Sequence, residues 1–362
     1  MKVTILTNMP TPYRVKLWTE LDKFISLDVV CITTIEKNRS WAVECLGMVS
    51  YLKSFHFVFP KKDWSLHFTI PFTFFYVLIK SKPDVIVITG YDSLIYWEAL
   101  MYAKILNIKL IFWNGSTLLS SRSRSKTVNR IKRLFISSFD GYYTYGTLAT
   151  QYLESFDINK KLIITGRNTV DSEFYKKNTS NNNSTDGIVR LLYVGQLIDR
   201  KGVANLINAL SKTKTKIRWL LTIVGDGPDL QYLSKLVASH NLIERINFVG
   251  FKQKNDILYY YSESDVFVMP SLFEVWGLVL NEALASGLFC VASKYAGATQ
   301  DLIQKDKNGV IFDPKNEKDF IDAIDKGLTN TIAKKEIKEI FKVNCKNEAL
   351  LIYKLINRVL NK

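Results

Sequence analysis

The sequence is poor in the residues that staple or metallate a fold. Four cysteines (Cys31, Cys45, Cys290, Cys345) and three histidines (His56, His67, His240) are scattered over 362 residues, with none of the short spacings of a zinc module or a disulfide framework. No Asp-x-Asp pair stands at an expected strand end either, so no metal site is expected. Cys290 lies in the apolar run 288–292 and reads as a buried thiol. No apolar run approaches the about 20 residues of a membrane-spanning helix, and the most apolar stretch, Trp64 to Ile79, contains His67 and Pro71. After Lys2 the chain enters Val3–Leu6 and at once meets polar Thr7-Asn8, which is not the pattern of an export signal. A cytoplasmic, reduced protein is expected. The phosphate-binding pattern GxxxxGK[ST] is missing.

Acidic residues are also scarce, 34 against 49 Lys and Arg, which leaves a formal charge of +15. Such an excess points to nucleic acid, anionic lipid or phosphorylated small molecules as partners. No recognition helix, aromatic RNA platform or zinc module accompanies it, which sets nucleic acid aside. The hydrophobic share of 47% and charged share of 23% are those of an ordinary globular protein, and the length suits two domains.

Short apolar runs alternate with amphipathic stretches along the whole chain, the pattern of βαβ units on a parallel sheet. Strands are expected at Val3–Leu6, Asp28–Ile32, Val85–Ile88, Ile108–Phe112, Gly141–Tyr145 and Lys161–Ile164. The run Lys176 to Asp186 has no apolar residue and cannot support a core. The alternation then restarts, with strands at Arg190–Val194, Trp219–Val224, Ile246–Val249, Val266–Met269, Phe289–Ala292 and Val310–Phe312. The expected organisation is a domain over 1–170, a linker over 171–187, a second domain over 188–340, and a C-terminal helix over 341–362 packing back toward the first domain. The fold class is α/β, two Rossmann-like doubly wound domains facing across a cleft, where loops at strand C-termini converge.

Three segments carry chemistry. Gly195-Gln196-Leu197-Ile198-Asp199-Arg200-Lys201-Gly202 follows a strand and opens a helix. Free N–H groups and the positive helix end make such a turn an anion site, and Lys201 adds a point charge able to reach a diphosphate. Taken alone, an ordinary βα turn with a solvated basic pair reads as well. Val224-Gly225-Asp226-Gly227-Pro228 also ends a strand, its glycines permitting close backbone approach; Leu230 stands where a dinucleotide fingerprint needs a third glycine. Most informative is Glu274-Val275-Trp276-Gly277-Leu278-Val279-Leu280-Asn281-Glu282-Ala283. With a helix starting near Leu278, Glu274 lies in the loop before it and Glu282 faces inward about one turn along. Two carboxylates there suit bidentate hydrogen bonds to vicinal hydroxyls; two solvated glutamates is the plain alternative.

The ordered series GQLxxRKG, VGDGP, FVGF, SLFEVWGLVLNEALASG and NGVIF, over about residues 188–330, resembles the donor domain of the family-4 retaining glycosyltransferases of GT-B architecture. The resemblance implies donor contacts at Gly195, Gln196, Arg200, Lys201, Gly225, Gly250, Phe251, Glu274, Trp276, Gly277, Leu278 and Glu282. Within that set, Lys201 faces the donor diphosphate, and Glu274 faces the sugar hydroxyls beside the backbone of Gly277 and Leu278. Glu282 faces the ribose, and the Gly250-Phe251-Lys252 loop lies by the base. Lys201 and Glu274 are the residues placed at the catalytic step. The chain departs from the family at Gln196, where Arg is common, and at Phe289, where Pro is common. The first sheet opens into Asn8-Met9-Pro10-Thr11-Pro12-Tyr13-Arg14, resembling bacterial polysaccharide-assembly members, in place of a glycine-rich loop. Trp113-Asn114-Gly115-Ser116 stands where many members carry a His. Gly166 to Asp171 resembles the interdomain crossing. Tyr13, Arg14, Asn114 and Asn168 are therefore the candidate acceptor and cleft residues.

The resemblance implies hexosyl transfer, with retention, from a nucleoside-diphosphate sugar (uracil by family habit) to a saccharide acceptor, lipid-linked, in cell-surface polysaccharide assembly. It implies neither cofactor nor metal. A nucleotide-sugar epimerase or other non-transferase on the same fold is the alternative; only transfer needs a second substrate. Basic residues Arg122, Arg124, Lys126, Arg130, Lys132 and Arg133, and Lys61-Lys62-Asp63-Trp64 leading into the aromatic run, describe either solvated and buried helices or a surface resting on anionic lipid. Peripheral attachment to the cytoplasmic face of a membrane is the corresponding expectation. Lys201→Ala and Glu282→Ala are expected to abolish transfer and leave the unfolding midpoint nearly unchanged.

Overall fold

A computed structural model describes residues 1–33, 47–52, 54–57, 66–69, 73–120, 125–181 and 186–361. Lys61–Trp64, Arg122, Arg124 and residues 182–185 of the polar run lie outside these described residues. The chain forms two compact units, Met1–Thr169 with Cys345–Lys362, and Val170–Asn344.

The first unit is built on strands β1 (Lys2–Thr7), β2 (Ser26–Cys31), β3 (Val49–Tyr51), β6 (Val85–Ile88), β7 (Lys109–Asn114), β8 (Gly141–Tyr145) and β9 (Ile163–Gly166), with a separate antiparallel hairpin of β4 (Ser54–Phe57) and β5 (Leu66–Thr69). The seven-stranded sheet has the order β3-β2-β1-β6-β7-β8-β9, all parallel. Parallel strands are covered on both faces and so read as unbroken apolar runs; Val85–Ile88 is buried at every position. The strands β3, β4 and β5 are short and polar enough that the apolar pattern does not announce them. The apolar stretch ending at Ile79 supplies β5 and then the helix Thr73–Ser81, with Phe74 and Leu78 buried and Tyr76 exposed.

The C-terminal helix Cys345–Leu360 belongs to this unit, packing on the helix Pro12–Asp22 and on β7, β8 and β9. Gly141 lets it in close: a Cβ there would lie 2.6 Å from Val359. The buried carboxylate of Glu348 accepts from the Tyr143 hydroxyl at 2.6 Å and the Arg167 N–H at 2.8 Å.

The second unit carries β10 (Ile188–Val194), β11 (Arg218–Val224), β12 (Ile246–Gly250), β13 (Val266–Met269), β14 (Phe289–Ser293) and β15 (Gly309–Phe312), in the order β12-β11-β10-β13-β14-β15, again all parallel. Part of the stretch read as linker is structured here. Ser172–Asn178 is a helix that packs on the helix Leu278–Ala285, with Tyr175 buried. The end of this helix and the residues after it are pinned by Lys338, whose ammonium donates to the carbonyls of Lys176, Thr179 and Ser180 and to Asn181 Oδ1 at 2.8–3.1 Å. A polar run without a core of its own is thus ordered at its start by one buried cation.

Candidate active site

In each sheet the chain lays strands to one side of its first strand and then crosses to the other. The loops that separate there, at the strand C-termini, leave a crevice. In the second unit this switch falls between β10 and β13, whose following loops are Gly195–Gly202 and Pro270–Gly277. The topology therefore brings two of the three chemistry-bearing segments together. The third, after β11, is tied in by backbone hydrogen bonds: Leu197 N–H to the Asp226 carbonyl at 2.9 Å, and Asp229 N–H to the Leu197 carbonyl at 3.1 Å. Gly225 is required by closeness, since a Cβ there would lie 1.8 Å from the Gly195 carbonyl oxygen. Leu272 N–H donates to the Arg200 carbonyl at 2.9 Å, joining the first loop to the one after β13.

Lys201 donates from Nζ to Glu274 Oε2, and the Arg200 guanidinium stands 3.5 Å from the same oxygen. Lys201 and Glu274 are both largely withdrawn from solvent, while Arg200 is about half exposed. Two cations on one carboxylate leave the spot net positive, which favours an incoming diphosphate. Glu274 rests on a firm backbone. Its N–H donates to the Tyr295 carbonyl and its carbonyl accepts from Gly297, at 3.1 Å each. Gly297 permits that strap, because a Cβ there would sit 2.1 Å from the Val275 carbonyl oxygen.

Gly277 caps the helix Leu278–Ala285 in the left-handed region, with φ 95°, where a side chain is disfavoured. The first N–H groups of a helix have no partner within it, so this end, next to Glu274, is an anion-facing edge. Trp276, expected among the donor contacts, turns inward: it is 3% exposed and its Nε1 donates to Asn281 Oδ1 at 2.9 Å. Its side chain wedges the helix start in place rather than facing a ligand.

Glu282 is half-buried on the same helix. It accepts from the Tyr261 hydroxyl at 2.8 Å and from Tyr175. Burial pushes its carboxyl above the usual range; the two tyrosine hydroxyls and the nearby Lys254 charge pull the other way without cancelling it. Burial, followed by the Glu282 charge, raises the Tyr175 and Tyr261 hydroxyls in turn. Gln196 is exposed, its carbonyl held by the Tyr193 hydroxyl at 2.9 Å. Phe251 is exposed after β12, and the Gly250 carbonyl accepts from Gly225 N–H at 3.0 Å.

Tyr13, Arg14, Asn114 and Asn168 all fall in the first unit. The Asn114 amide is fully engaged: Nδ2 donates to the carbonyls of Ser116 and Ala149, and Oδ1 accepts from Ser116 N–H. It shapes the turn after β7. Sequence reasoning missed Tyr175 and Tyr261, which fix Glu282, and Gly297, which straps Glu274. Phe174-Tyr175, the last aromatics before the polar run, were the available signal for the first. Among the described residues no group of three His, Cys, Asp or Glu could hold a metal ion, and no helix is long and apolar enough to cross a membrane.

Comparison with known proteins bears on the same segments. The family described as "Glycosyl transferases group 1" matches residues 174–343, nearly the whole second unit. The chain is 30% identical over 174 residues to an uncharacterised glycosyltransferase, MJ1607, of Methanocaldococcus jannaschii, covering 46% of this chain and 44% of that one. It spans about half the length of the curated relatives it matches. Over its full length it resembles the lipopolysaccharide outer core galactosyltransferase WaaB, with a TM-score of 0.74 at 16% identity over 100% of this chain and 99% of that one. It also resembles Anabaena Alr3699/HepE in complex with UDP, with a TM-score of 0.71 at 16% identity over 100% of both. The two parallel-sheet α/β units are thus of GT-B type, and the segments carrying Lys201 and Glu274 lie within residues 174–343, the part of the chain that matches the group 1 glycosyltransferases.

Proposed function

We propose that this protein moves a hexosyl group from a UDP-sugar to a lipid-linked saccharide in cell-surface polysaccharide assembly, with retention of configuration. One observation carries the reading: Lys201 and Arg200 converge on the Glu274 carboxylate, beside the glycine that starts a helix, at the switch point of the second sheet. In glycosyl transfer, negative charge grows on the departing diphosphate while the anomeric carbon turns cationic. Fixed cations and helix N–H groups aimed at the leaving group lower that barrier. Without substrate, Lys201 and Glu274 neutralise one another. A donor diphosphate replaces Glu274 as the partner of Lys201 and frees the carboxylate for sugar hydroxyls. Glu282, oriented by Tyr175 and Tyr261, accepts from the ribose, and the Gly250-Phe251 loop borders the base. The reading assigns no cofactor and no metal.

The HepE–UDP complex supports the choice of nucleotide, and WaaB's description as a lipopolysaccharide outer core galactosyltransferase supports a glycolipid acceptor. The first unit then serves the acceptor, through Tyr13 and Arg14 at the start of the helix Pro12–Asp22 and through Asn168. Its helix Lys126–Ile136 exposes Val128, Ile131 and Leu134 beside Lys126 and Arg130, a surface suited to anionic lipid.

The test is a thermal-shift panel of nucleotide sugars on the wild-type protein, followed by transfer assays with the best binder. Lys201→Ala is expected to weaken UDP binding about tenfold or more, a charge-assisted bond being worth ~1.5–3 kcal/mol. Unchanged UDP affinity in Lys201→Ala overturns the donor site. Turnover of the nucleotide sugar to an isomer with no acceptor present would favour an epimerase instead.

A further inference from the structure

The switch point of the first sheet falls between β1 and β6, and the cation Arg14 sits there. Arg14, half-buried, donates from a guanidinium nitrogen to Thr7 Oγ1 at 2.8 Å, and Thr7 Oγ1 also accepts from the Thr89 hydroxyl at 3.0 Å. Its guanidinium carbon lies 5.9 Å from the Trp113 ring centre and 6.0 Å from that of Tyr145. Among the described residues no carboxylate pairs with it. Burial opposes its charge, and the groups that favour the charge are Tyr145, Tyr13 and Tyr96.

The surrounding donors are incompletely satisfied as well. Arg14 Nε, Trp113 Nε1 and the Tyr145 hydroxyl are buried without a hydrogen bond of normal geometry, and the Tyr145 oxygen is the one group toward which both Arg14 and Trp113 are directed. Trp113 and Tyr145 are 2% and 7% exposed, so water does not freely compensate their polar atoms. Burial pushes the Tyr145 hydroxyl up to about 12, Arg14 and Trp113 pulling the other way, so it remains a donor at neutral pH. Buried cations and donors of this kind are costly unless something accepts from them. Three such groups gathered from β7, β8 and the first turn of the helix Pro12–Asp22 describe a place for an acceptor with several oxygens.

We propose that Arg14, Trp113 and Tyr145 form an oxyanion site in the first unit, taking a phosphate or carboxylate group carried by the acceptor. An Arg fork matches either group bidentately. The inference deepens the acceptor reading of this unit and rests on it only for the source of the anion. A neutral saccharide offers hydroxyls that leave the guanidinium charge uncompensated; a phosphorylated or uronic acceptor does not.

The test follows the side-chain Nε–H resonance of Arg14 in protein labelled with 15N-arginine, assigned by its loss in Arg14→Lys. UDP-saturated protein is titrated with inorganic phosphate in one arm and with acetate in the other. A saturable shift of that resonance is expected in at least one arm, the responding arm identifying the anion. Trp113→Phe, which removes only the indole N–H donor, is expected to weaken the response about tenfold. No shift in either arm overturns the proposal, as does a shift with UDP alone and no further response to phosphate or acetate. The donor reading is tested separately by UDP affinity in Lys201→Ala, so either can fail while the other stands.

Discussion

Replacing Glu282 with Ala tests the site through stability as well as activity. The carboxylate is the acceptor for two tyrosine hydroxyls, Tyr261 at 2.8 Å and Tyr175, which are 0% and 3% exposed. In the alanine variant both are left buried without that acceptor. An unmet buried hydroxyl costs about 1–3 kcal/mol, and since the two share one partner their losses are not fully additive; about 2–4 kcal/mol is expected. In a domain of 150–250 residues each kcal/mol moves the midpoint by about 2–4 °C, so a drop on the order of 5–15 °C should appear in a calorimetric melt. This revises the expectation, natural from the sequence, that the midpoint would hardly move. Glu282→Gln keeps an acceptor oxygen and should melt much closer to wild type. The pH dependence has a definite sign. Burial raises the folded-state pKa, so above about pH 4.3, the unfolded value, the native state holds more proton than the unfolded one, and stability falls as pH rises through the folded pKa. Wild type should therefore gain on Glu282→Gln as pH is lowered from 7 toward 4.5. An alanine midpoint within about 1 °C of wild type, too small for even one lost acceptor, would refute the reasoning.

Glu274→Ala removes the carboxylate that occupies Lys201; UDP should bind as tightly as to wild type or tighter by titration calorimetry, while transfer is lost. Gly277→Ala places a Cβ 2.9 Å from Met269 Sδ at φ 95°. The left-handed strain alone costs about 1–2 kcal/mol, and a lowered midpoint with weakened UDP binding is expected. Lys338→Met strips the donor from three carbonyls and Asn181 and should cost about 2–4 kcal/mol, read as earlier proteolysis near residues 176–181. Changing Val128, Ile131 and Leu134 together to Ser should abolish co-sedimentation with anionic liposomes at low salt, with UDP affinity retained.

Much of both sheets was legible in the sequence, because a strand buried on two faces must be apolar throughout, as in Val85–Ile88 and Phe289–Ala292. Strands β3, β4 and β5 were not, being short and not wholly apolar. The order of the motifs fixed Lys201, Glu274, Gly277 and Glu282 as a group, since loops ending parallel strands must gather on one edge of the sheet. Side-chain direction was not legible. Trp276 lies between two site residues yet points into the core, because the helix start turns it toward Asn281.

By itself, then, the sequence determined the two α/β halves and the loops that hold the chemistry, both of which come from local periodicity and turn residues. Only the tertiary structure decided that Tyr175, from a stretch with the composition of a linker, helps hold Glu282, and that Glu274 waits paired with Lys201. Only it left Arg14 among buried donors with no carboxylate paired to it among the described residues. Such partnerships join residues dozens of positions apart, and periodicity carries no record of which distant side chains will share one buried oxygen.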